Sequence, residues 1–147
     1  MSSFDKETFL ATHVEGAMEV KFTPLPVGDY QAYIDDIDAG EIGDSPVLYV
    51  SYAIIDETAK AFMKMDKPLV RDTVFLDFEP DGRLSLGVNK NVKLGAIRDA
   101  TGQNKSGPWN PNMLRGAGPV MLKLGHRFNK KTGEGPYANV ERIAAKR

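Results

Sequence analysis

A chain of 147 residues suffices for one compact domain and falls short of two ordinary ones. Hydrophobic residues at 41% and charged residues at 27% exclude wholesale disorder, and the lack of cysteine excludes disulfides, cysteine zinc sites and thiol chemistry. The net charge of −1 conceals a division: residues 1–82 carry 17 acidic and 6 basic side chains, a balance of −11, and residues 83–147 carry 3 and 13, a balance of +10.

Residues 4–14 have the loose periodicity of a short helix, with Phe4, Phe9 and Leu10 as its apolar members. Phe22-Thr23-Pro24-Leu25-Pro26 must be extended, because each proline fixes its own φ and pushes its predecessor out of the helical region. From Gly28, Tyr30, Ala32 and Ile34 alternate with Gln31, Tyr33 and Asp35, the period of a half-buried strand. Gly40 to Pro46 reads as a polar loop, and Val47 to Ile55, rich in β-branched and aromatic residues, as a second strand. An irregular insert over Asp56–Pro68 has room for one helical turn near Ala59–Met65.

Asp72–Phe78 is predicted as the third strand, followed by the turn Pro80-Asp81-Gly82 and a returning segment Arg83-Leu84-Ser85-Leu86. The best helix spans about Asn89–Ala100, with Gly102 as its stop, and Gly107–Pro119 is loop. Val120–Phe128 and Tyr137–Ile143 are predicted as two strands joined by the hairpin loop Asn129–Gly135. The layout is mainly β, with one helix between strands three and four. It matches an OB-fold-like five-stranded Greek-key barrel, expected over residues 27–147 behind an N-terminal arm, residues 1–26.

Catalytic readings fail on placement. The carboxylates of Asp35-Asp36-Ile37-Asp38 alternate between faces with no histidine nearby, His126 lacks a nucleophile, and Gly116-Ala117-Gly118-Pro119 lacks a following lysine or helix. No enzyme, metal or cofactor is expected. Binding fares better. With Tyr30, Ala32, Ile34, then Leu48, Val50, Tyr52, Ile54, and then Val74, Leu76, Phe78 facing the core, three adjacent strands turn Tyr33, Tyr49 and Phe75 outward. Aromatic rings spread across a sheet can stack unpaired bases. Charge comes from the second half: Lys123 and Arg127 outward on strand four, Lys130 and Lys131 in the hairpin between Phe128 and Tyr137, and Lys90, Lys93 and Arg98 on the helix. Trp109 lies in the loop between Lys105 and Arg115. Basic groups interleaved with aromatics suit single-stranded nucleic acid. The acidic set Asp35, Asp36, Asp38, Glu41 and Asp44 would repel a phosphate chain if it lined the groove. It could instead face away, dock a basic protein or mimic nucleic acid.

Several stretches resemble small bacteriophage proteins of replication and recombination regions: Phe22-Thr23-Pro24-Leu25-Pro26-Val27-Gly28-Asp29-Tyr30, Tyr52-Ala53-Ile54-Ile55-Asp56, Leu94–Gly102, Lys131-Thr132-Gly133-Glu134 and Asn139–Ile143. The resemblance covers roughly residues 20–143. It implies an OB-fold and single-stranded-DNA binding during phage DNA replication or recombination; little sequence preference and phage replication or recombination proteins as partners are expected with it, and the lack of cysteine makes the host cytoplasm the default compartment. Many such proteins end in an acidic tail that recruits partners; Ala144-Ala145-Lys146-Arg147 is basic, so recruitment would fall to the acidic half. A homo-oligomer is compatible with this reading. The start Met1-Ser2-Ser3-Phe4-Asp5-Lys6-Glu7 has no signal-peptide pattern, and runs such as Ala53-Ile54-Ile55 are too short to span a bilayer. The rival expectation is a non-catalytic phage protein-interaction module using its acidic face.

Overall fold

The computed structural model describes residues 4–20 and 23–146. Met1-Ser2-Ser3, Phe22 of the extended segment and Arg147 of the basic end, all read above, lie outside the described residues. The protein is mainly β: one five-stranded antiparallel sheet in the order β3-β2-β1-β4-β5, with a few short helices. The strands are β1 Gly28–Ile42, β2 Ser45–Ile54, β3 Leu69–Phe75, β4 Val120–Arg127 and β5 Tyr137–Ala145. The helices are α1 Lys6–Ala11, α2 Glu57–Met63 and α3 Val92–Ala100, with a 3-10 turn at Pro111–Leu114. The sheet coils until its edge strands β3 and β5 touch, while no ladder of hydrogen bonds joins them among the described residues.

β1 organises the molecule. Its first part, Gly28–Ala32, pairs with β4, and the part from Ala32 to Ile42 pairs with β2. Beyond the β4 ladder, Ile34 exchanges backbone hydrogen bonds with Gly116 and Ala117, which carries the pairing one step further. An irregularity between Ile34 and Asp36 shifts the alternation by one residue, so Ile37 is buried as Ile34 is. The shift lets β1 run on to Ile42, and the expected loop Gly40–Pro46 is instead strand on both sides of a tight turn at Gly43-Asp44.

The core lies on the inner face: Ala32, Ile34 and Ile37 from β1, Leu48, Val50, Tyr52 and Ile54 from β2, and Val120, Leu122 and Leu124 from β4. Leu94 and Ile97 of α3, Leu114 of the 3-10 turn and Leu25 close it. Leu25 ties the end of the N-terminal arm to the domain. His126, on the rim, has Nε2 2.6 Å from the Leu25 carbonyl, so that nitrogen carries the proton.

Strand three needs correction. It runs Leu69–Phe75, three residues earlier than expected, and Phe78 is 45% exposed instead of core. Asp72 hid the pattern: it sits on the inner face between Val70 and Val74, where a carboxylate reads as an edge. The segment predicted as a returning strand is reduced to a single bridge, Phe78 to Leu84. The main helix starts at Val92 instead of Asn89, because Asn89 and Asn91 both take positive φ. Asn91 serves as a hub: its side chain accepts from the Asp77 amide at 2.8 Å and donates to the carbonyls of Asp77 and Ser85. The insert helix α2 is capped by Asp56, whose carboxylate accepts from the Ala59 amide, and Asp5 caps α1 in the same way through Glu7 and Thr8.

Candidate nucleic-acid interface

The register of β1, β2 and β3 aligns outward-facing residues in rows. Tyr33 stands opposite Ala53, which faces Leu69; Asp36 opposite Ser51, which faces Arg71; Asp38 opposite Tyr49, which faces Thr73; and Gly40 opposite Val47, which faces Phe75. Tyr33, Tyr49 and Phe75 therefore share the face turned away from the core, and Phe75 is 56% exposed. Val47 and Ala53 are buried on this same face, so it has a thin apolar layer of its own beneath the rings. Tyr49 leans over Gly40, where an added Cβ would lie 3.0 Å from its ring. The Arg71 guanidinium lies 3.9 Å from the centroid of the Tyr49 ring, a cation–π contact. Arg71 falls outside the strand expected from sequence, which is why the sequence reading omitted it. Period-two alternation with Thr73 and Phe75 is the signal that finds it.

The β4–β5 hairpin comes up to this face across the seam. Arg127 pairs opposite Tyr137 at the loop end of the hairpin. Arg127 and Tyr137 line a groove of about 400 Å³ together with Arg71, Leu69, Met63 and Met65. Phe128, Lys130 and Lys131 are exposed in the loop beyond. That loop is fixed by Asn129, whose side chain accepts from the amides of Lys131 and Thr132, and by a hydrogen bond from the Tyr137 hydroxyl to Glu134.

Other expected residues lie elsewhere. Lys93 is engaged: its ammonium donates to Asp72 at 2.7 Å and to the Thr73 carbonyl at 3.1 Å. Lys123 stands on the outer face of β4 between Asp29 and Arg142, and Lys90 is exposed just ahead of α3. Trp109 is half-buried against the core, its ring 4.3 Å below the Arg98 guanidinium and its indole N–H donating to Gln103 at 2.8 Å. It braces the loop after α3 and is not among the rings on the sheet face.

The acidic half is partly neutralised in place. Asp35 pairs with Lys67 at 2.5 Å, and Asp36 with Arg115 at 2.8 Å; the Arg115 guanidinium holds the Asp36 carboxyl below the usual carboxylate range. Asp36 and Asp38 nonetheless share the face of Tyr49 and do not turn away from it. Asp72 lies beneath this face. Burial pushes its carboxyl above the ordinary range, while Lys93 and then Arg127 pull it down. The neighbouring Tyr52 hydroxyl, fully buried on the inner face, has no hydrogen-bond partner among the described residues. No cluster of three or more metal-ligating side chains exists among the described residues, and no helix there is long and apolar enough to cross a membrane.

No protein-family model matches the chain, and no curated protein matches it.

Proposed function

We propose that this protein is a non-catalytic, OB-fold single-stranded-DNA-binding protein with little sequence preference, acting in bacteriophage DNA replication or recombination in the host cytoplasm. The observation that carries this reading is the adjoining of two surfaces: the aromatic face with Tyr49 under Arg71, and the groove holding Arg127 and Tyr137. Rings stack bases, and the guanidiniums and the Lys130-Lys131 loop follow phosphates. The sheet order supports the OB assignment, since an OB barrel runs β1-β2-β3-β5-β4 and brings β3 against β5, and here those two edges touch. The helix between the third and fourth strands agrees with it.

Fluorescence anisotropy with labelled oligonucleotides tests the proposal. Single strands bind more tightly than duplex of the same sequence, and Tyr49→Leu weakens binding by ~1–3 kcal/mol, the range for one base–aromatic stack. No binding at low salt, or a preference for duplex, overturns it. The placement of Asp36 and Asp38 beside Tyr49 favours the rival, a phage protein-interaction module that docks a basic partner on this face. Its signature in the same experiment is no DNA binding at any salt concentration.

A further inference from the structure

The N-terminal arm carries a set of apolar side chains that nothing among the described residues covers. Phe4, Phe9 and Leu10 are 70%, 61% and 76% exposed, and the two phenyl rings pack on each other with centroids 5.5 Å apart. Val14, Met18 and Val20 are exposed as well. A cluster of this kind on a water-facing segment marks a surface that docks. The arm is acidic: residues 4–20 hold Asp5, Glu7, Glu15 and Glu19 against Lys6.

The seam groove between β3 and the β4–β5 hairpin has the complementary character. It is lined by the apolar, adaptable side chains Met63, Met65 and Leu69 and by the cations Arg71 and Arg127, with Lys67 beside them paired to Asp35. Methionines conform to aromatic rings and contact them favourably through sulfur. The groove and the arm are therefore matched twice, apolar to apolar and positive to negative. They are not joined within one chain: Pro24 and Leu25 form part of the groove wall, so the arm departs from the wall itself, and the phenyl pair and the groove both stay open to solvent.

We propose that the groove receives the N-terminal arm of a second copy of this chain, the Phe4–Phe9 pair entering between Met63, Met65 and Leu69 while the acidic arm lies along Arg71 and Arg127. Reciprocal exchange of arms closes a two-fold pair in which each copy gives one arm and accepts one. This assembly requires no nucleic acid.

Sedimentation velocity of the full chain without DNA, over a range of concentrations, is the test. Self-association is expected, and it weakens by about tenfold or more both in an arm variant, Phe4→Ser with Phe9→Ser and Leu10→Ser, and in a groove variant, Leu69→Glu. All four positions are exposed, so circular dichroism of both variants should match the parent; Met65→Glu, also exposed, serves if Leu69→Glu does not fold. Mixing the arm variant with the groove variant recovers association above that of either alone, though below the parent, because one of the two arm–groove contacts is then intact. A chain that stays monomeric, self-association that ignores either variant, or a mixture that fails to recover overturns the proposal, the last two by pointing to another interface.

Discussion

Tyr52 and Asp72 are diagonal neighbours on the inner face, one polar side chain buried without a partner and the other buried with one. The Tyr52 hydroxyl has no partner among the described residues, and burial raises its pKa far above the ordinary tyrosine value. Removing an unsatisfied hydroxyl recovers its desolvation cost, so Tyr52→Phe is expected to stabilise the fold by ~1 kcal/mol in urea denaturation. Asp72 has a partner in Lys93, yet its carboxyl remains raised because burial outweighs the ion pair. A raised carboxyl binds its proton more tightly in the folded than in the unfolded state. Its contribution is therefore most favourable below the ordinary carboxylate range, and is lost as pH rises through the raised value. Asp36, held low by Arg115, acts with the opposite sign and loses its contribution as pH falls. Just above the ordinary carboxylate range, Asp72→Asn removes this declining contribution, so urea denaturation across that range shows the variant's stability falling less steeply with pH, or rising more, than the parent's.

Two glycines of the β4–β5 hairpin loop, Gly133 and Gly135, take positive φ, and at Gly135 space is short as well. Gly135 has φ +133°, and an added Cβ would lie 2.9 Å from the Arg127 carbonyl. Both the backbone conformation and the space exclude a side chain, so Gly135→Ala costs ~1–3 kcal/mol in thermal or chemical unfolding and displaces Arg127 and Tyr137 together. At this scale the sequence was legible where alternation was unbroken. β4, with Val120, Leu122 and Leu124 inward, and β2, with Leu48, Val50, Tyr52 and Ile54 inward, follow it to the residue. It misled where a tertiary contact replaced local preference. Asp72 tolerates the inner face because Lys93 reaches it from a helix 21 residues on, and that contact has no local signature. The position of Arg71 over Tyr49 was lost with the same strand boundary. Trp109 looked like a free ring in a loop because its stacking under Arg98 joins two segments whose contact periodicity does not encode.

For the molecule as a whole, the opposed charges of the two halves interleave. Arg115 of the basic half binds Asp36 of the acidic half, and Arg127 acts on Asp72. Exposed positive charge on β4 and its hairpin comes from Lys123, Arg127, Lys130 and Lys131. If these cations follow a phosphate chain, the logarithm of the affinity for single-stranded DNA falls linearly with the logarithm of salt concentration, by about 0.7 per phosphate neutralised. Replacing Lys130 and Lys131 together by alanine is expected to make that slope shallower by up to about 1.4, read from titrations at several salt concentrations.

The two halves of the sheet hang on β1, which bonds to β4 through its first part and to β2 through the remainder. Neither the β2–β3 side nor the β4–β5 side can separate from the other without stripping that strand. Amide protons around Ala32, where the two ladders meet, accordingly exchange with solvent only when the entire sheet opens, and they set the clock for global unfolding.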